Sequence, residues 1–462
     1  MIKKFISRVF GKKPVKPQGP RIFRAGEHSI RRADISNSAL RVCEGLQKEG
    51  FTAFVVGGAV RDLLLGRHPK DFDIATSATP EQVKSAFRRA RIIGRRFRLV
   101  HVMFGAETVE VSTFRAHHAD AEDHEGRADE HGRLLRDNVF GSQVDDAIRR
   151  DFTVNALFYD PERDEVWDYL RGMADLKAKK LVMIGEAAAR YREDPVRMLR
   201  AARLSAKLDF TIDPKTEAPI ARLAPLLDNV PAARLFDEIL KLLLSGHAVE
   251  CIEKLRALGL HRGLLPVLDQ VMEDAPSKRF VLHALKRTDE RVAQDKGVSP
   301  AFLLAAIQWP LVVRRWRELE AQGNHRELPA LHLAMDDVLD DQRDVLAVPR
   351  RFDAVMKELW LAQPRLLQRS GGKPYRMLAH PHFRACYDFF ALRAEAGDAP
   401  QDIADWWTRF QDATEDEREG MLLPDDQPKK RRRQRSKRGA GKPQENAPQG
   451  AADNPDSAHD NE

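Results

Sequence analysis

Two aspartates, Asp71 and Asp73, stand two residues apart in KDFDIAT, and a third carboxylate, Glu110, follows in VEVSTFR. In an extended segment residues i and i+2 face the same way, so Asp71 and Asp73 would share one face while Phe72 and Ile74 turn towards a core. Carboxylates grouped in this way suit divalent cations. Two such ions about 3.5–4 Å apart stabilise the attacking and leaving oxygens of a phosphoryl transfer. Upstream, Gly57 and Gly58 fall at a strand-to-helix turn in VVGGAVRD. A glycine turn there lets backbone N–H groups approach phosphates closely, and Arg61, one helical turn on, adds positive charge. Taken singly, a Gly-Gly pair is a common turn and an Asp-x-Asp pair a common solvated loop; their succession is what points to nucleotide chemistry. Arg95, Arg96 and Arg98 around Phe97 are either contacts for a triphosphate or RNA backbone or an ordinary charged strand edge. His117, His118, His124 and His131 lie in an acidic polar stretch without the periodicity of a ligand set, so the reading there is a mobile loop. His101 reads as a packed strand residue rather than a base.

The elements that must position these groups are legible in part. Ile35, Ala39, Leu40, Cys43 and Leu46 recur at helical spacing and stop near Gly50, after which residues 51–56 read as a buried strand. Residues 59–65 read as a short helix and 70–75 as a returning extended segment. Thr79, Pro80 and Gln82 spell a capping box with proline at the first helical position, starting a helix that runs to about residue 89. Further strands are expected over 97–104 and 108–114, the second alternating Val109, Val111 and Thr113 against Glu110, Ser112 and Phe114. From about residue 186 the texture becomes helical, with long amphipathic runs over 233–245 and 300–319.

At 462 residues the chain exceeds one compact core and implies several domains. Three scattered cysteines, Cys43, Cys251 and Cys386, spell neither a disulfide framework nor a zinc site, and the absence of a long apolar run or secretory leader points to a cytoplasmic protein. The net charge of +7 is unevenly spread: residues 1–20 carry six Lys/Arg and no acid, 427–442 carry nine and no acid, and the last 20 residues carry five acids and no base. Cationic tails on a near-neutral body suit sequence-independent binding of a polyanion through phosphate contacts. The candidates in the tail are Lys429, Lys430, Arg431, Arg432, Arg433, Arg435, Lys437 and Arg438. A solubilising tail is the alternative. Phe5, Ile6, Val9 and Phe10 beside lysines would allow at most weak, reversible membrane contact by the N-terminal arm.

The glycine turn with three converging acids resembles the nucleotidyltransferase superfamily. GGAVRD and KDFDIAT, followed by RRDFTVNA over 149–156 and EDPVRMLR over 193–200, resemble the class that holds bacterial poly(A) polymerases and CCA-adding enzymes. GRRFRLVHVMFG from Gly94, LLRDNVFGS from Leu134, LAHPHFRACYDFFALRAEAG from Leu378 and the arginine-rich tail are similar to the poly(A) polymerase branch, so the likeness covers nearly the whole chain after about residue 25. The resemblance implies an α+β fold, with a small mixed-sheet, palm-like nucleotidyltransferase head and an all-α neck and body, while the loss of large apolar residues after about residue 423 points to a disordered tail, basic and then acidic, beside the basic N-terminal arm. The corresponding segments are an arm (1–25), a head (26–185), a neck (186–250), a body (251–423) and a tail (424–462). It also implies template-independent transfer of AMP from ATP to single-stranded RNA 3′ ends, supporting RNA processing and decay, with two magnesium ions on Asp71, Asp73 and Glu110 and no part for DNA. By the same resemblance Arg150, Asp151 and Asn155 engage the nucleotide and its ribose, with Asp151 counted in the catalytic set. By spacing alone Asp194 and Arg197, three apart, share a helix face and read as a surface ion pair; the resemblance has them face the base, with Arg200 and Arg203 fixing that pair. CCA addition, or RNA binding without catalysis, are the competing expectations.

Overall fold

The computed structural model describes residues 19–94, 98–116, 139–261, 266–323, 326–345 and 348–424. Its N-terminal part is built on one eight-stranded mixed sheet: β1 (Arg21–Phe23), β2 (Ala53–Val56), β3 (Asp73–Thr76), β4 (Ala90–Ile93), β5 (Leu99–Phe104), β6 (Glu107–Thr113), β7 (Leu157–Asp160) and β8 (Glu165–Asp168). The order is β1-β8-β7-β2-β3-β6-β5-β4. β3 and β6 run parallel and the other neighbours antiparallel. Alternation sorts the two faces. Val55, Ile74, Val100, Val102, Val109 and Val111 turn to a core with Val42 and Leu46 of helix Asn37–Lys48 and Val83 of helix Pro80–Ala86. The opposite face carries a smaller cluster of Phe54, Val56, Ala75, Phe114 and Phe158, with Ala147 from helix Gln143–Arg149.

Local signals explain the helix starts. Ser36 accepts from the Ala39 N–H, and the Thr79–Gln82 capping box forms in both directions. Four strands of this sheet escape the sequence reading: β1, which lies inside the stretch read as an arm, β4, which follows directly on the helix read to about residue 89, and β7 and β8. Every residue of β7 is buried, so it shows no polar alternation, as expected for a strand covered on both faces. β3 opens at Asp73, where pairing with Val56 and Glu110 begins, leaving Asp71 on the preceding loop.

Among the described residues beyond 186 the regular structure is helical, apart from an isolated bridge between Ser370 and Leu423 and a two-residue parallel pairing of Thr211–Ile212 with Lys180–Leu181, which ties the sheet part to the helices after it. Helix Val196–Leu208 packs against helices Ala232–Leu243 and Ala248–Ala257. Helices Ala275–Ala293, Pro300–Ala321, Glu327–Val345, Arg351–Leu366, Phe383–Glu395 and Gln401–Asp412 complete the body. Trp309, Trp360, Trp407, Phe389 and Phe410 are wholly buried there. Among the described residues no helix is long and apolar enough to cross a membrane.

Candidate active site

The Gly57–Gly58 turn joins β2 to helix Gly58–Leu64. Gly57 takes φ 72°, and a Cβ there would stand 3.3 Å from Nη1 of Arg150, so a side chain would be both strained and crowded against a guanidinium. Asp73, one strand over from β2, lies directly opposite Glu110 in the parallel register of β3 and β6. Asp71 and Asp73 are exposed and Glu110 is half-exposed; Asp73 and Glu110 stand on the face away from the two covering helices. Although Asp73 is exposed, desolvation by the protein packed around it and the neighbouring Glu110 and Asp71 push its carboxyl up to about 6, against the opposing pull of Arg150. Asp71, Asp73 and Glu110 therefore feel one another, yet among the described residues no three acids, histidines or cysteines are closed around a common point.

Behind this rim lies a chain of charges. Arg61 is buried; its guanidinium donates to Asp62 at 2.8 Å and to Oδ1 of Asn155 at 2.6 Å, and a Cβ on Gly58 would rest 3.5 Å from it. The Asn155 amide in turn donates to Asp151 at 3.1 Å. Asp151, also buried, accepts from the Phe152 N–H at 2.8 Å and pairs with Arg200 of helix Val196–Leu208 at 3.1 Å. Burial alone would raise the Asp151 carboxyl; Arg200 and the donors from Asn155 and Phe152 more than offset it and hold it below the usual range. Asn155 thus links a cation of the sheet part to an anion that reaches the helical part. Arg150 is gripped by Asp146, at 2.9 and 3.1 Å, and lies over the Phe158 ring. Arg149 binds the other oxygen of the same Asp146 at 3.0 Å.

The pair Asp194 and Arg197 is arranged differently from a shared helix face. One helix ends at Glu193 and the next begins at Val196; Asp194 is extended between them, because the ring of Pro195 disfavours helical backbone at the residue before it. Their side chains do not pair with each other. Arg197 donates to Glu193 at 2.8 Å and to the Arg190 carbonyl at 2.9 Å, while Asp194 accepts from Arg234 at 2.7 Å. The other oxygen of Asp194 is buried and has no protein partner, as have the Nε atoms of Arg200 and Arg203. Arg197, Arg200, Arg203 and Lys207 recur three or four apart along Val196–Leu208 and so form one basic stripe. Burial lowers Arg203 and Lys207 from their ordinary values.

Asp146, Glu193, Arg234 and Lys207 were missed by sequence reasoning. The (i, i+4) spacing of Asp146 and Arg150 and the recurrence of Lys207 on the stripe were available signals; Arg234 pairs across 40 residues and had none. Arg98 pairs with Glu81, as a charged strand edge would. Arg95, Arg96, the four histidines of 117–131, the N-terminal arm through residue 18 and the basic residues 429–438 lie outside the described residues. The three cysteines are buried and unpaired.

Three family models match the chain: "Poly A polymerase head domain" over residues 53–182, "Probable RNA and SrmB- binding site of polymerase A" over 209–272, and "Polymerase A arginine-rich C-terminus" over 323–439. Poly(A) polymerase I of Haemophilus influenzae is 46% identical over 407 residues, 87% of this chain and 90% of that one. The CCA-adding enzyme of Bacillus licheniformis is 34% identical over 256 residues, 55% of this chain and 62% of its own. Among solved structures, the Bacillus stearothermophilus CCA-adding enzyme in complex with CTP superposes with a TM-score of 0.56 at 26% identity, covering 80% of each chain.

Proposed function

The chain belongs to the poly(A) polymerase family, which transfers AMP from ATP to RNA 3′-hydroxyls without a template and releases pyrophosphate, and on that premise we propose how its residues divide the work. The observation that carries the assignment is the row formed by Asp73 and Glu110, in register on an open sheet face, beside the Gly57 turn and Arg150. Asp71, Asp73 and Glu110 would hold magnesium. They are hard oxygen donors, and a divalent cation would offset both the desolvation and the carboxylate repulsion that raise Asp73. Two ions held by these carboxylates would supply Lewis-acid activation of the 3′-hydroxyl and charge neutralisation at the pyrophosphate.

The protein's own share is positioning. The Gly57–Gly58 turn presents backbone to the phosphates, Arg150 adds charge in an orientation set by Asp146, and Arg61 supports the turn from beneath. Asp151 and Asn155 face the ribose as one hydrogen-bonded unit. Asp194 and Arg197 read the base, and Arg200 and Arg203 border it with their buried, unshared Nε donors. RNA is bound as a single strand, helped by the cations over 429–438, and the reaction is cytoplasmic, in keeping with three unpaired thiols. The segments act as head (26–185), neck (186–250) and body (251–423).

The test uses magnesium, an unstructured oligoribonucleotide and each nucleoside triphosphate singly. Long ladders with ATP alone are expected. Addition limited to a few residues, with CTP accepted, would instead assign CCA addition, and RNA binding with no incorporation under any divalent ion would make the chain a non-catalytic binder.

A further inference from the structure

The register of the sheet continues the catalytic row beyond its acids. Asp73 on β3 is opposite Glu110 on β6, Glu110 is opposite His101 on β5, and His101 is opposite Arg91 on β4. All four belong to one face. Their chain neighbours Ile74, Val109, Val111, Val100, Val102, Ala90 and Ile92 turn to the helix-covered core on the other side. The row therefore crosses four adjacent strands, about 4.8 Å apart, from the centre of the sheet to its edge at β4. Its charge changes sign on the way. Two carboxylates are followed by an imidazole whose Nε2 lies 3.7 Å from Oε2 of Glu110, and then by an exposed guanidinium. Arg91 has no acidic partner among the described residues, unlike Arg98, which pairs with Glu81, and Arg150, which pairs with Asp146.

We propose that this row is the seat of the acceptor RNA: the 3′-terminal ribose rests over Glu110 and His101, and the phosphate on its 5′ side meets Arg91 at the edge of the sheet. The inference rests on the reading of Asp73 and Glu110 as the reacting end. The occupant follows from charge complementarity and continuity. A strand whose 3′-hydroxyl sits at the acids must carry its own first phosphate away from them, since the space beside Asp73 and Glu110 belongs to the reacting triphosphate. Along the row Arg91, without an acidic partner among the described residues, lies at the end away from those acids. A guanidinium is suited to a phosphate oxygen pair, and an edge strand leaves the rest of the RNA free to run out into solvent. His101, held beside Glu110, offers a ring edge to the sugar and keeps the row continuous.

Short primers resolve the contact. The chemically matched pair is a 3′-terminal nucleoside with and without its 5′ phosphate, followed by di- and trinucleotides, elongated by the full-length enzyme. Arg91→Gln should raise KM for phosphate-bearing primers about tenfold, the size of one hydrogen bond to a charged group, while KM for ATP stays constant and the primer lacking that phosphate is unaffected. The log–log salt slope of RNA binding, measured by anisotropy without ATP, should shrink by about 0.7, one phosphate contact on a single strand. Lys84→Gln, which removes an exposed cation from the helix-covered side, should leave the slope unchanged. His101→Asn should raise primer KM with every primer, including the one lacking the phosphate. Arg91 is exposed, so retained melting behaviour is expected and separates loss of contact from loss of fold. An unchanged primer KM and salt slope for Arg91→Gln would overturn the proposal, and so would a rise in KM for ATP instead, which would give the row to the triphosphate. Failure of the underlying assignment looks different: Asp73→Asn would then keep its activity, whatever Arg91 does.

Discussion

Replacing Asp194 tests base selection most directly, because the structure leaves one of its oxygens available and occupies the other. Oδ2 accepts from Arg234 at 2.7 Å; Oδ1 is buried without a protein partner. An adenine amino group donating to Oδ1 would be a hydrogen bond to a charged acceptor, worth about 1.5–3 kcal/mol. At about 1.4 kcal/mol per factor of ten, Asp194→Ala should lower kcat/KM for ATP roughly 10- to 150-fold, mainly through KM. GTP and UTP place a carbonyl where adenine has its amine, so the carboxylate repels them, and its removal should narrow the preference for ATP over both. Asp194→Asn extends the logic. Its amide can turn an N–H towards the base, so incorporation of GTP or UTP should rise further than in the alanine variant. The lost pair with Arg234, whose side chain is 38% exposed, contributes only about 0–1 kcal/mol, so the melting temperature should move little and kinetics can be read cleanly. Steady-state kinetics with each nucleotide at fixed magnesium and saturating primer supply the numbers. Unaltered ATP KM and selectivity in both variants would refute base reading and reduce Asp194 to an ion-pair partner of Arg234.

Three further outcomes are expected. Asp73→Asn, and Glu110→Gln if it completes the ligand set, should lower polymerisation at least ~10²-fold while filter binding shows RNA affinity nearly intact; over half of wild-type rate would exclude the assignment. Deleting residues 427–462 removes nine clustered cations and should reduce the salt slope of RNA binding by several units, at about 0.7 per phosphate contact, without altering nucleotide choice. Asp146 is wholly buried, and although burial alone would raise its carboxyl, Arg150 and Arg149 hold it below the usual range. A depressed folded-state value stabilises the protein above the unfolded value near 3.9, and that contribution is lost as pH falls through the folded value. Thermal melts of Asp146→Asn should therefore lie below wild type at neutral pH and converge with it on acidification below about pH 4; a constant gap would contradict this.

Local chemistry determined what could be read without the fold. The Thr79–Gln82 box, the helix ending before Gly50 and the alternation that turns Glu110 away from Val109 and Val111 need only near neighbours, and each is present. The order and spelling of the motifs were enough for the family. Tertiary structure decided the rest, because the deciding partners are far apart along the chain. β7 is buried throughout, which erases the alternation that marks a strand, and β1 becomes a strand only by pairing with β8, some 145 residues later. Three-residue spacing suggested that Asp194 and Arg197 share a helix face, but Pro195 breaks the helix between them, and their true partners are Arg234 and Glu193. Arg61 reads as a cation one helical turn beyond the glycine turn; folding buries it against Asn155, 94 residues away, since a charge taken out of water must be matched by groups that only the packed chain can bring to it.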